Sequence, residues 1–86
     1  MSETKEHRLK RLRMRSWRRG LKEMDLILGS YSDKKLSDLD EDTTVVYDAL
    51  LSENDQDLYA WVTGQTPTPP RFEDLISIIK EHANTL

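Results

Sequence analysis

Eighty-six residues suffice for one small domain, which buries only about 60–65% of its unfolded surface and so has a thin core. The chain has no cysteine, which excludes disulfides, thiolate metal sites and a thiol nucleophile, and its apolar runs fall far short of the roughly 18–20 residues of a membrane span. The net charge of −3 hides an asymmetry: residues 1–23 hold nine Lys/Arg against three acids, and residues 24–86 hold four against thirteen.

The periodicity is helical throughout, and no stretch alternates as a strand does. A first helix is predicted from about Lys5 to Arg18, with Leu9 and Leu12 one turn apart and Met14 and Trp17 on another side. A second is predicted from about Leu21 to Tyr31, where Leu21, Met24, Leu28 and Tyr31 form a stripe widened by Ile27. "GSYSDKKLSD" supplies turn and cap residues after it. A third helix is expected over Asp40–Ser52, with Leu39, Thr43, Val46 and Leu50 on one face, Ala49 beside them, and acids at its positive end. Asp55 is expected to cap a fourth helix carrying Leu58, Trp61 and Val62, with Gly64 stopping it. After "QTPTPP", Thr68 and Pro69 suit the cap and first position of a fifth, whose stripe is Phe72, Leu75, Ile76, Ile79 and Ala83. The expectation is a single all-α domain over 1–86, a small five-helix bundle with a few frayed residues at each end.

Chemistry is sparse. His7 and His82 lie near opposite ends and form no ligand set by spacing. No phosphate-binding glycine loop or Ser–His–Asp signature is present. "DKKLSDLDEDTT" fails as a calcium loop because Asp38 stands where glycine is required and Thr44 where glutamate is. Most acids sit at helix starts and turns, where capping accounts for them. The basic first helix has arginines all round, which fits a solvated face as well as a binding one. As a nucleic-acid site it would sit in an otherwise acidic domain. Gly20 is the conspicuous residue, placed between Arg18–Arg19 and Lys22–Glu23. Either the chain breaks there or something approaches the backbone there.

"RGLKE", residues 19–23 within "RSWRRGLKEMDLILG", has the form Arg-Gly-x-x-Glu. With "ALLSENDQDLYAWVTGQTPTP" it resembles the small assembly factors of succinate dehydrogenase that promote covalent flavin attachment to the flavoprotein subunit. The likeness runs over roughly residues 8 to 82. Gln56 departs from the proline common at that turn.

The resemblance implies a five-helix bundle without enzymatic activity. It binds the flavoprotein subunit of succinate dehydrogenase, and of fumarate reductase by extension, while a histidine of that subunit bonds to FAD. It implies a contact surface of Arg19, Gly20 and Glu23, with Ser16, Trp17, Lys22 and Asp25 as neighbours. FAD belongs to the partner; no catalytic, cofactor or metal ligand is assigned to this chain, and the free protein is expected to be a monomer. The expected setting is bacterial cytoplasm, or the mitochondrial matrix for a processed form. The rival readings are a basic-helix nucleic-acid regulator and a helical interaction adaptor unrelated to flavin.

Overall fold

A computed structural model describes residues 3–86. Five α-helices follow one another: α1 (Lys5–Trp17), α2 (Lys22–Lys35), α3 (Glu41–Leu50), α4 (Asp55–Thr63) and α5 (Glu73–Ala83). Short 3-10 turns at Leu36–Asp38 and Pro70–Phe72 join α2 to α3 and lead into α5, and the described residues contain no strand. The expected five-helix, all-α bundle is the observed one. No helix among the described residues is long and apolar enough to cross a membrane. Part of the expected N-terminal fraying falls on residues 1–2, outside the described range.

Packing centres on α2, which touches α1, α4 and α5. Leu12 from α1 meets Met24, Leu28 and Tyr31 from α2 in one core with Leu58 and Val62 of α4 and Phe72, Leu75, Ile76 and Ile79 of α5. Trp61 and Phe72 stack with centroids 5.8 Å apart, and Tyr31 stands 5.9 Å from Tyr47.

Four local expectations are corrected. α2 does not stop at Tyr31 but continues to Lys35. Gly29, Ser30 and Ser32 are helical, and the two serine hydroxyls satisfy themselves by donating back to carbonyls of the preceding turn. The buried face of α3 is Thr44, Tyr47 and Leu50, followed by Leu51, so it is rotated from the expected Thr43–Val46 line; Leu39, Val46 and Ala49 only border it. Asn54, not Asp55, caps α4, and Thr68–Pro69 do not start α5, which begins at Glu73 after the 3-10 turn. Gly64 does end α4 in the left-handed region, at φ 79°.

Candidate functional site

The site is the elbow between α1 and α2, residues 18–21. α1 ends because Arg18 leaves helical geometry at φ −118°, ψ 57°. Leu21 is extended at the start of α2 and makes no side-chain cap bond. The backbone donors of the elbow are met by carboxylates from elsewhere. The Arg19 N–H donates to Asp25 Oδ1 and the Gly20 N–H donates to Asp55 Oδ2. Gly20 is exposed and lies outside both helices, and its φ is not positive. A Cβ on it would stand 2.9 Å from Asp55 Oδ2. The close approach to Gly20 is therefore made by a side chain of this protein, and a Cβ there would push on it.

Arg19 points inward. Its Nε donates to Asp55 Oδ1 at 2.7 Å, Nη1 to the Leu51 carbonyl at 2.9 Å and Nη2 to the Glu53 carbonyl at 3.1 Å. Its side chain is only 8% exposed. The Leu51 and Glu53 carbonyls lie just past the end of α3, so the guanidinium meets acceptors the helix leaves unpaired and the negative end of its dipole. Arg19 and Glu23 stand four residues apart but do not pair: Asp55 takes the arginine, and Glu23 remains exposed.

Ser16 is fully buried. Its Oγ donates to the Leu12 carbonyl at 2.7 Å and lies 2.6 Å from the Tyr47 hydroxyl. It is thus a core contact under the elbow, corrected from its expected place beside a partner. Tyr47 joins three helices, since its hydroxyl also lies 3.4 Å from the Leu28 carbonyl. Burial pushes the Tyr47 hydroxyl above its ordinary pKa, opposed by the Ser16 hydrogen bond. Trp17 is 41% exposed, with its indole N–H donating to Asp33 Oδ1 at 3.3 Å.

Around the elbow, Trp17, Lys22, Glu23, Asp25 and Leu26 line one shallow groove. Leu21, Glu23, Gln56, Asp57, Tyr59 and Gln65 line a second. Glu23 borders both. The two stretches that suggested a family in the sequence, residues 19–23 and the start of α4, thus meet in space. Lys22, Glu23 and Gly20 face solvent, Asp25 is half-buried, and Arg19 and Ser16 hold the elbow from beneath.

The basic helix is largely neutralised by its own fold. Arg8 pairs with Glu41 at 2.9 Å, Arg11 with Glu3 and Asp48 at 2.9 and 2.8 Å, and Arg15 with Asp48 at 3.0 Å. Arg13 lies 3.5 Å from Asp33. The Arg11 hydrogen bond holds the Asp48 carboxyl below the usual carboxylate range. Among the described residues, Lys10, Arg18 and Lys22 are exposed and have no carboxylate within ion-pair distance. Asp55 and Asp48 were not singled out by spacing as partners of arginines 33 to 37 residues away; only the abundance of acids next to turns hinted at them.

A family model described as flavinator of succinate dehydrogenase matches residues 10–83. The chain is 45% identical over 78 residues to succinate dehydrogenase assembly factor 2, mitochondrial, of Drosophila grimshawi, covering 87% of this chain and 53% of that protein. It is 42% identical over 78 residues to the same-named protein of Drosophila virilis, covering 87% and 49%. To assembly factor 2-B, mitochondrial, of Drosophila melanogaster it is 39% identical over 80 residues, covering 90% and 51%. The chain spans about half the length of these curated relatives.

Proposed function

The chain belongs to the family of flavinators of succinate dehydrogenase, and on that premise we propose that it binds the flavoprotein subunit of succinate dehydrogenase and promotes covalent attachment of FAD to it. The observation that carries this reading is the elbow. Gly20, Lys22 and Glu23 form an exposed polar ridge, flanked by the exposed apolar side chains of Trp17 and Leu26. A centre with apolar anchors and a charged rim suits a protein interface. Asp25 and Arg19 shape the ridge, and Ser16 anchors the helix beneath it.

The role is positioning, not catalysis. The covalent chemistry would belong to FAD and a histidine of the client, and the factor supplies a surface that holds the client in the reacting arrangement. FAD, when bound, supplies the electrophilic ring. The residues of this chain do not fit FAD themselves. The glycine-rich turn from strand to helix that cradles a dinucleotide is missing, and the grooves beside the elbow are open and set the carboxylates of Glu23, Asp25 and Asp57 among the apolar side chains of Trp17, Leu21, Leu26 and Tyr59, where a pyrophosphate would be repelled. Lys10, Arg18 and Lys22 leave a positive field at this end, suited to an acidic region of the client. The flavoprotein subunit of fumarate reductase is a second client on the strength of the resemblance, and the free factor acts as a monomer. The relatives carry "mitochondrial" in their names, which supports the mitochondrial matrix over bacterial cytoplasm as the meeting place.

The test is co-expression of the flavoprotein subunit with and without this chain, followed by flavin fluorescence of the denatured subunit. Fluorescence that rises with the chain is the expected result. Equal fluorescence in both preparations overturns the proposal.

A further inference from the structure

We infer that Asp55, outside the Arg-Gly-x-x-Glu stretch, is a positioning residue for client binding: through Arg19 and the Gly20 backbone it latches the elbow into the shape that turns Lys22 and Glu23 outward. The inference rests on the proposed binding of the flavoprotein subunit.

Four observations carry it. The elbow backbone has little regular hydrogen bonding of its own. The Arg18 N–H reaches the Arg15 carbonyl only at 3.4 Å, and the next two donors go to Asp25 and Asp55. Among the described residues, Asp55 alone grips both the backbone and a side chain of the elbow, with one carboxylate oxygen for each. It is not needed as a cap, because Asn54 already accepts from the first turn of α4 at Gln56 N–H, 2.8 Å away. Finally, all three guanidinium nitrogens of Arg19 are engaged internally on a side chain that is 8% exposed, so a partner could claim the arginine only by dismantling these bonds.

The Arg-Gly-x-x-Glu stretch therefore divides its work. Arg19 faces inward as half of a latch, and Glu23 faces outward as a contact. Glycine at position 20 serves the latch too, because a Cβ there presses on the oxygen that its own N–H needs. Asp55→Asn is the sharp probe. It keeps the size and shape of the side chain, but in the same pose its amide oxygen replaces only one of the two carboxylate oxygens, so either Arg19 or Gly20 faces an NH2 donor instead of an acceptor.

The experiment measures affinity for the purified flavoprotein subunit by titration calorimetry, alongside the melting temperature. Asp55→Asn is expected to lose at least tenfold in affinity while melting well above the assay temperature. Gly20→Ala is expected to weaken binding in the wild-type background and to add little in the Asp55→Asn background, since both changes break one latch. A general loss of stability would not produce that coupling. Binding by Asp55→Asn within twofold of wild type, or losses that add independently, overturns the inference. A measurement on the unmutated chain covers the case in which Asp55→Asn does not fold. Amide exchange at Gly20 is expected to be slow in the free protein and to stay slow on adding the subunit; fast exchange in the complex overturns the inference. A wild-type chain that fails to bind the subunit overturns the proposed function itself, whereas wild-type binding that survives Asp55→Asn overturns only the role of Asp55.

Discussion

The indole of Trp17 sits so close to Gly29 that a Cβ at position 29 would stand 2.2 Å from its Cδ2 and 2.4 Å from its Cε2. The end of α1 is thereby pressed onto the backbone of α2 immediately beside the elbow. In an open helix, Gly→Ala stabilises by about 1 kcal/mol. Here overpacking opposes that gain, and Gly29→Ala is expected to destabilise by a net of about 1–3 kcal/mol. In a Trp61→Phe background, the emission of Trp17 should shift to the red as the ring is expelled. A more stable variant with unchanged Trp17 emission would show that the contact is slack.

Gly20→Glu should leave a folded protein that no longer supports covalent flavin attachment. The added side chain meets Asp55 at once, and its charge repels the carboxylate that receives the Gly20 N–H. Because the site is an exposed bend outside both helices, the core is untouched. Thermal melting and flavin fluorescence of the co-expressed, denatured client form the paired assay. Normal fluorescence from the client would remove Gly20 from the functional surface.

Charge reversal separates steering from architecture. Lys10→Glu and Arg18→Glu change cations with no internal ion pair and should slow association with the client severalfold at low salt, with the effect fading as salt rises. Arg11→Glu instead sets a third carboxylate against Glu3 and Asp48, so its main effect should be a lower melting temperature. Stopped-flow rates at two salt concentrations check both halves. Equal rates for Lys10→Glu, Arg18→Glu and wild type at low salt would reduce these cations to a solvated face.

Ser16→Ala should cost about 1–3 kcal/mol of stability. The change removes the 2.6 Å partner of the Tyr47 hydroxyl and leaves it only the Leu28 carbonyl at 3.4 Å, in a site closed to solvent. Chemical denaturation reads this loss directly. A loss below a few tenths of a kcal/mol would mean that the hydroxyl finds another partner.

Stability should fall in two separate steps as the solution is acidified. Desolvation, helped by Lys34 and Lys35, lowers the His82 pKa below its usual 6.5. The unfolded chain then takes up this proton first, so stability is full above about 6.5 and declines as pH drops from there toward the folded-state pKa. His82 also lies 2.7 Å from Ser30 Oγ and edge-on to Tyr31, which ties the step to the α2–α5 contact. Asp48, with its pKa below the usual 3.8, contributes stability above that value and loses it only in stronger acid. Denaturation curves from pH 7.5 to 5 should show the first step, and His82→Gln should flatten it. A His82 resonance titrating at or above 6.5 would contradict the assignment.

Local sequence was a good guide to the helices and a poor one to their partners. Phe72, Leu75, Ile76 and Ile79 form a stripe that periodicity alone exposes, because a helix with one apolar face can bury it only one way. Gly64 likewise marks the end of α4, because only the left-handed backbone region needs that residue there. The end of α2 departs from its local signals for the opposite reason. Gly29, Ser30 and Ser32 carry the local signals of a turn, but Trp17 packed on Gly29 and the burial of Tyr31 and Ser32 keep them helical, and the two serine hydroxyls find acceptors in the previous turn. On α3, periodicity passes over Tyr47 because its hydroxyl marks it as polar, yet that hydroxyl is met inside the core by Ser16 and the Leu28 carbonyl.

The elbow shows the same division at the site. Residue types and spacing were enough to determine a helical chain, the conspicuous position of Gly20 between two helices and the stretch that resembles the family. Which residues of that stretch turn outward was decided by contacts 32 to 36 residues apart, where Leu51, Glu53 and Asp55 draw Arg19 inward and leave Glu23 exposed. The physical reason is that a long arginine can fork onto any acceptor within reach. Propensity and periodicity describe a residue relative to its own helix, whereas the acceptor that wins is set by how the end of α3 and the start of α4 are brought against the elbow.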